Sequence, residues 1–588
     1  MTSKPIITVL PLLFGLFCLV ACAQKSSISE LESWNDATVI SNMNVDQTTV
    51  LEPEGGLIFT KNTQIKIQEG QRLIIDSKLT TLNNRQFFFG EGTVDFKTGS
   101  VEKINVMWFG AQPDDDQSDS AAIQKAIDVA IYSDGVSVVY FPPGEYLIDQ
   151  PLIAVRKTPN GNFSHFNLTL EGHQLAFNNP GGGQGGVSVL KTTDEIPFIF
   201  GFQGARGVSV DKLVFEGFIS ETFAIEDLIY KTEDELYPQG RYSPMAAIVI
   251  DPFSPEKPKS EAYEGLDEYY GNGRSSTRVV IKDGAIMGFP TGISLSPNGV
   301  TQQNDSVLIQ NMRFFNLVYG VSISQTQSRN VAVEHCSFGR MKYAFTSQHF
   351  GEENGILPEV RSIKVADGVA WLYKANGNVA YGHFSQVYAE ALYGIGYSII
   401  NKQPMHFEGC VFRFRPQSDK KKQWANPCIL RADNASFVAC TFTMGGGKDN
   451  SEPLLMDVKT ATFINSYLDT EPINIGSDLR EPNKTELLNN TLRKNKLEST
   501  NWQYTAQLDN QRTPIKYNKN SGHFVFTGKG YKVGDFVFGK TTLDRAPFEK
   551  TTLYTAIGKV VQVSGKQVEF VSDVIGENTT FIQRLSPQ

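Results

Sequence analysis

The residues with the most chemistry to offer stand late in the chain. In Leu430-Arg431-Ala432-Asp433 and Leu454-Leu455-Met456-Asp457 apolar and charged residues alternate, and a period of two sends neighbouring side chains to opposite faces of a strand. With Leu430, Ala432 and Met456 turned inward, Arg431, Asp433 and Asp457 share the other face, and Asp457 is expected one layer from Asp433. Two close carboxylates raise one another's pKa and can divide acid and base work, as in glycoside hydrolysis. Arg431 would orient them or hold an anionic sugar. A second chemistry stays open: Lys374, Tyr373 or His349 removes the proton alpha to a uronate carboxylate while Arg431 neutralises that carboxylate, which is elimination. Beside them the loop Arg413 to Trp424 carries Arg415, Lys420, Lys421, Lys422 and Trp424, cations and an indole that suit a uronic or sulfated polysaccharide. The bland alternative for every one of these charges is a solvated surface.

Other residue groups read less chemically. Between Phe218 and Thr277 an insertion carries Tyr230, Tyr237, Tyr242, Tyr263, Tyr269 and Tyr270. Tyrosine faces stack on sugar rings while their hydroxyls bond polar groups, so Tyr263, Tyr269 and Tyr270 are candidates to wall a glycan groove. A surface flap or subunit contact is the competing role. Asp114-Asp115-Asp116 reads as a solvated turn. Cys336, Cys410 and Cys440 each precede a Phe by two residues, which places them on the same strand face as that Phe, as small buried hydrophobes in equivalent positions. A Cys410–Cys440 disulfide is the lesser alternative. No Cys-x2-Cys or Cys-His spacing is found, so no metal site is expected. No cofactor is indicated, calcium included.

The elements that must position these residues are short strands. The 588 residues carry 54 basic and 63 acidic side chains, a net charge of −9, which argues against a general nucleic-acid binder. With 40% hydrophobic and 20% charged residues the chain is too apolar for disorder. From about residue 279 one phrase recurs: a short alternating strand, a small polar residue, an aromatic, then a Gly-led second strand. Taking Ile286, Phe314, Phe338, Tyr388, Phe412, Phe442 and Tyr467 as markers, the spacing is 24 to 30 residues with one gap of 50. Arg361 to Tyr373 supplies the turn missing from that gap. A unit this short cannot bury its own apolar face, so units must stack as a β-solenoid. A β-sandwich would instead turn every 8 to 12 residues without the longer period.

At the N-terminus Lys4 precedes an apolar run from Pro5 to Ala21, broken by Pro11 and Gly15, which reads as a signal sequence over 1–21. Leu19-Val20-Ala21-Cys22 resembles the lipobox of bacterial lipoproteins, which implies acylation of Cys22 and anchorage to a bacterial membrane at the outer membrane, cell surface or periplasmic face.

Three further segments resemble a known family. Asn105-Val106-Met107-Trp108-Phe109-Gly110-Ala111, Asp119-Ser120-Ala121-Ala122-Ile123-Gln124-Lys125-Ala126-Ile127 and Tyr140-Phe141-Pro142-Pro143-Gly144-Glu145-Tyr146 are similar to the N-terminal signature of the pectate-lyase-like superfamily, in its rhamnogalacturonase/epimerase branch. The resemblance implies an all-β fold, a right-handed parallel β-helix. A helix with Ser118 or Asp119 at its start and the stripe Ala122, Ile123, Ala126, Ile127 and Ala130 would form its N-terminal helical cap. It also implies that catalysis uses outward side chains of one parallel sheet, assigned here to the Gly-led strands. Their early members expose Ser294, Ser296, Ser322 and Ser324, poor acids and bases. The chain lacks the Asn-Thr-Asp, Asp-Asp, Gly-His-Gly and Arg-x-Lys series of polygalacturonases, and the Trp-x-Asp-His and Arg-x-Pro-x-x-Arg patterns of the commonest pectate lyases, so mechanism does not carry over.

The expected organisation is a signal over 1–21, leading coils or a β cap over 22–104, and a β-helix over 105–476 with its insertion at 219–277. A linker over 477–513 and a small antiparallel β-domain over 514–588 follow. The expected function is an exported, lipid-anchored enzyme cleaving a complex acidic polysaccharide by hydrolysis or elimination, with the polymer and the membrane as its partners. A non-catalytic glycan-binding or adhesive lipoprotein is the rival, and the oligomeric state is left open.

Overall fold

The computed structural model describes residues 33–34, 37–174, 186–231, 233–237, 245–253, 263–270, 274–297, 304–324, 328, 330–347, 356–375, 382–392, 394–398, 404–414, 430–444, 454–469, 472–474, 484–492, 502–503, 506–533, 536–542, 552–571 and 581–587. Residues 1–21, read above as a signal sequence, and Cys22 lie outside them. No described helix is long and apolar enough to cross a membrane. The chain divides into two compact units, Met1–Thr193 with Ala205–Val214, and Asp194–Gly204 with Phe215–Gln588.

In the first unit the leading residues form parallel coils. Ile40 pairs with Phe59 and Met43 with Ile65, and Leu51, Ile75 and Phe96 follow one another in register. Farther on, Ile104, Val139, Leu170 and Val210 make a second buried row. Helix α1 (Ser120–Tyr132) buries Ile123, Ala126, Ile127 and Ala130 along one stripe, at the spacing a 3.6-residue period requires. Asp119 holds the N-cap position, but its carboxylate does not cap the helix. It accepts instead from the Gln112 and Leu147 amides at 2.7 and 3.1 Å, tying the acidic turn to the next strand. Asp114 and Asp116 have left-handed φ values of 67° and 56°, and Asp114 accepts from the Glu145 amide at 2.9 Å. The acidic run therefore shapes a turn.

The second unit winds three parallel sheets. On the first sheet Val360, Phe384, Phe407, Phe437 and Phe463 are register partners. Their rings stack at 5.3 Å for Phe384–Phe407, 4.9 Å for Phe407–Phe437 and 4.7 Å for Phe437–Phe463. Those distances match the strand spacing of about 4.8 Å, so each ring lies on the ring of the coil below. On the second sheet the inward row runs Ile286, Phe314, Phe338, Val365, Ala389, Phe412, Phe442 and Leu468. Phe314 and Phe338 stack at 4.8 Å, and Val365 fills the turn missing from the 50-residue gap. Two markers are displaced by one residue: Ala389 and Leu468 occupy the row, while Tyr388 faces outward at 37% exposure. A slip of one residue exchanges the faces of a strand, and aromatic character alone does not report which face is inside.

The third sheet carries the inward row Val321, Phe345, Tyr373, Gly396, Leu430 and Met456. Cys336, Cys410 and Cys440 are buried free thiols; Cys410 Sγ donates to the Phe384 carbonyl at 3.4 Å and Cys440 Sγ to that of Phe407 at 3.5 Å. The coil does not stop at residue 476. Lys484–Leu488 pairs in parallel with Thr460–Ile464, and Thr491–Leu492 with Tyr467–Leu468. The polar composition that reads as a linker is a further coil whose turn is held by a buried Asn490, accepting from the Ser466 amide at 2.7 Å and donating to the Phe463 carbonyl at 3.0 Å.

A seven-stranded antiparallel sheet from Ala506 to Pro587 closes the chain. Its own core holds Ile515, Phe524, Phe526, Val537, Val568 and Phe570, and its hairpin turns at Gly565, where φ is 64°. The fold is all-β, a right-handed parallel β-helix, the hand that parallel crossover connections take.

Candidate functional site

The Gly-led strands form the third sheet, and one row on its outer side gathers several of the residues singled out above. Ser294, Ser322, Thr346, Lys374 and Tyr397 are successive register partners. Gly396 pairs with Leu430, so Arg431 takes the next place after Tyr397. Arg431 in turn pairs with Asp457. The register, set by the buried Leu430 and Met456, therefore brings Asp457 opposite Arg431 instead of opposite Asp433, which sits two positions along the strand. The side chains of Arg431, Asp433 and Asp457 lie outside the described residues, as do His349, Arg415 and Trp424 entirely.

The earlier part of this outer face is covered. Ser294, Ser296, Ser322 and Ser324 are buried, against the expectation of exposure. Farther along the same sheet the insertion adds its own cover, its helices α2 (Ile225–Tyr230) and α3 (Glu233–Leu236) packing on Val318, Tyr319, Tyr343, Ala370 and Trp371. Leu228 fills the middle of this second, outer apolar cluster, and Tyr319 stacks on Tyr343 at 5.7 Å. Lys342 reaches out of the sheet to donate to the Leu228 carbonyl at 3.0 Å and to that of Lys231, satisfying carbonyls that the end of α2 leaves open.

Lys374, a candidate base, is locked rather than free. Its ammonium pairs with Glu233 of α3, with side chains 3% and 10% exposed. Lys374 Nζ and Lys342 Nζ lie 5.2 and 5.7 Å from the Tyr343 ring centre, where the ring's negative face helps to stabilise both cations. Burial alone would raise the Glu233 carboxyl, yet Lys374 and Lys342 beside it hold it down at about 2. Burial pushes Lys342 down to about 8 in spite of the Glu233 charge.

Two other assignments are corrected by packing. Tyr373 is no surface acid or base: it belongs to the inward row, stacks on Phe384 at 5.6 Å, and its buried hydroxyl has no hydrogen-bond partner among the described residues. Burial raises its pKa further above the usual phenol range. Tyr263 is fully buried against Phe198 at 5.8 Å and cannot offer a face to a sugar. Tyr269 and Tyr270 are half-buried, packed on Phe253 at 5.2 and 5.4 Å. Among the described residues, Tyr237, Tyr263, Tyr269 and Tyr270 of the insertion pack on phenylalanine rings.

Sequence reading missed Glu233, Lys342 and Asp251. Asp251 ends the strand Ala246–Ile250 with φ 53° and is completely buried. It accepts from Ser276 Oγ and the Ser276 amide at 2.6 Å, from Asn304 Nδ2 at 2.5 Å and from the Gly204 amide at 3.2 Å. Burial lifts its pKa to about 6, opposed by those donors. No local motif announces either cluster, because their members are far apart in the chain: 141 residues separate Glu233 from Lys374. Among the described residues one group of metal-ligand type, His383, His406 and Glu408, lies on the first sheet, not on this row.

Comparison with known proteins adds one family. Residues 103–172 match the model described as rhamnogalacturonase A/epimerase, pectate lyase-like. No curated protein matches the sequence. Among solved structures the chain is similar to the A-module of the mannuronan C-5 epimerase AlgE4 of Azotobacter vinelandii, with 12% identity over 66% of this chain and 95% of that one and a TM-score of 0.38. It is also similar to the catalytic unit of a GH87 alpha-1,3-glucanase from Streptomyces thermodiastaticus, with 13% identity over 68% and 71% and a TM-score of 0.36. A third is PfbA, a surface adhesin of Streptococcus pneumoniae, with 14% identity over 69% and 96% and a TM-score of 0.33. The matched signature over residues 103–172 is of the pectate-lyase-like type, and the parallel coils that continue from it in sequence make the chain a parallel β-helix protein.

Proposed function

We propose that the protein is an exported, lipid-anchored carbohydrate-active enzyme that cleaves a complex acidic polysaccharide, as a glycoside hydrolase or a polysaccharide lyase. The observation that carries the reading is the third-sheet register that sets Arg431 against Asp457, with Asp433 on the same strand as Arg431. An acid, a base and a guanidinium close together are what cleavage beside a sugar carboxylate needs. The matched family, described by a rhamnogalacturonase and an epimerase, supports a polysaccharide substrate. The Leu19-Val20-Ala21-Cys22 sequence supports anchorage through Cys22 to a bacterial membrane. Arg415, Trp424, Tyr269 and Tyr270 remain candidates for holding the polymer, and His349 for proton abstraction. No cofactor is assigned to this chemistry.

One observation favours the second reading, a non-catalytic glycan-binding or adhesive lipoprotein: Lys374 is engaged with Glu233 and Tyr373 is core, so two of the candidate reactive groups hold the fold instead. The test incubates the purified protein with uronate-containing and sulfated polysaccharides while following unsaturated-uronate absorbance and reducing ends. Absorbance rising with reducing ends means elimination, and reducing ends alone mean hydrolysis. Asp457→Asn and Asp433→Asn should each lower turnover about 100-fold or more with the melting temperature unchanged. Binding without either signal establishes the adhesive role, and full activity in both variants removes the carboxylate assignment.

A further inference from the structure

The first sheet carries a different group of side chains on its outer face. His383 and His406 are register partners on adjacent coils. The inward residues that follow them, Phe384 and Phe407, stack on each other, which fixes the alignment of the two strands beneath the imidazoles. The two imidazole centres are 5.2 Å apart.

In each ring one nitrogen is already engaged. His383 Nδ1 lies 3.5 Å from Glu359 Oε1, one coil before it, and Glu359 is itself held by Arg361 Nε at 3.1 Å. His406 Nδ1 lies 2.6 Å from Ser436 Oγ, one coil after it. What remains on both rings is Nε2, and His383 Nε2 is a buried atom with no hydrogen-bond partner among the described residues, a state that asks for an explanation. Glu408 stands two positions beyond His406, on the same face of the same strand, and is exposed. One ligand atom from each of His383, His406 and Glu408 lies within 4.8 Å of the other two.

We propose that His383, His406 and Glu408 bind a divalent transition-metal ion of the zinc class, which links two adjacent coils of the β-helix. Two imidazoles and one carboxylate are a recurrent zinc set with a further position left for water. Imidazole nitrogen favours zinc and its neighbours, whereas calcium and magnesium take oxygen. The engaged Nδ1 atoms are what such a site requires, because a carboxylate or hydroxyl on the far nitrogen fixes each ring's tautomer and direction. Ligand atoms around a tetrahedral zinc stand roughly 3.4 Å apart, so binding draws the three groups, now within 4.8 Å of one another, inward by rotation of the exposed Glu408 and tilting of the imidazoles. The site is independent of the chemistry proposed for the third sheet.

The test uses the full chain, stripped with a chelator and titrated calorimetrically with zinc chloride. One ion per chain is expected at micromolar affinity or tighter, with cobalt giving the visible absorption of a low-coordinate nitrogen and oxygen site. His383→Gln and His406→Gln should each weaken binding at least 10-fold with far-ultraviolet circular dichroism unchanged. Glu408→Gln, on an exposed side chain that the fold does not need, should weaken it about 10-fold and keeps the test decisive if the histidine variants misfold. Zinc should also raise the melting temperature of the wild-type chain and not that of the double histidine variant. Absence of saturable binding overturns the proposal, and so does undiminished binding in the double histidine variant or in Glu408→Gln.

Discussion

At the scale of single residues, the buried charges are the most informative. Glu233, carried by the insertion, sits beside Lys374 and Lys342 of the sheet, and a carboxylate in that position is held near a pKa of about 2 against an ordinary 4.5. A lowered acid pKa stabilises the fold fully above pH 4.5, and the contribution disappears as pH falls from 4.5 towards 2. Glu233→Gln should therefore destabilise the protein by about 3 kcal/mol at neutral pH, because two buried ammonium groups lose their counter-charge. The difference in melting temperature between wild type and variant should stay level between pH 5 and 7, below the titration of Lys342 near 8, and shrink steadily below pH 5. A difference that persists at pH 2.5 would sink the ion-pair account. Asp251 works in the opposite sense: its pKa of about 6 lies above the ordinary 3.8, so it favours folding increasingly as pH falls from 6 to 3.8. Comparing wild type with the Gln variant cancels that background. Neither cluster was legible in the sequence, since a charge becomes a buried pair only when a distant segment is laid across it.

At the scale of elements, stacking in register decides what each position tolerates. Tyr373 and Gly396 are partners in the inward row, and a Cβ placed on Gly396 would stand 1.9 Å from Tyr373 Cζ. The same holds for Gly394 under Trp371, at 2.1 Å from Cζ3. Glycine is present there because the ring of the coil beside it fills the space. Gly396→Ala should cost about 1–3 kcal/mol by overpacking, and Tyr373→Leu in the same chain should recover part of it, a coupling that a double-mutant cycle in denaturant reads directly. Tyr373→Phe, which removes a buried hydroxyl without a partner, should leave stability and any turnover unchanged or slightly improved; a large loss of turnover would restore Tyr373 as a catalytic group. The period of the coils was readable from Phe314, Phe338, Phe412 and Phe442. The face was not always so, and Tyr388 and Tyr467 mark the residues beside Ala389 and Leu468 because a tyrosine can end on either side of a strand.

At the scale of the molecule, the second unit holds two apolar clusters of different origin. The inward rows come from the repeat itself, and so does the succession Tyr319, Tyr343 and Trp371 on neighbouring coils, whereas Leu228 joins them only because the insertion folds onto the sheet. The second should be separable from the first. Leu228→Asp should loosen the insertion, raise quenching of Trp371 fluorescence by acrylamide and leave the far-ultraviolet spectrum of the coils intact. Cooperative loss of the whole fold in that variant would mean that the insertion is part of the core. The early third sheet, covered in this way, is poorly placed to meet a polymer, which moves the proposed chemistry to the later coils around Arg431 and Asp457.

The solenoid was written in the sequence because a parallel coil needs only a local instruction repeated: an inward residue every second position, a polar turn, and the same phrase about 26 residues later. The signature at 105–146 and the small C-terminal sheet were legible for the same reason, each being a short-range pattern. Only the tertiary structure decided that Lys374 is bound to Glu233, that Tyr373 and Tyr263 are core, that Arg431 is the register partner of Asp457, and that His383 and His406 stand side by side. Those relations depend on register between coils and on where an insertion lies, and both are fixed by the summed packing of many distant residues instead of by any motif along the chain.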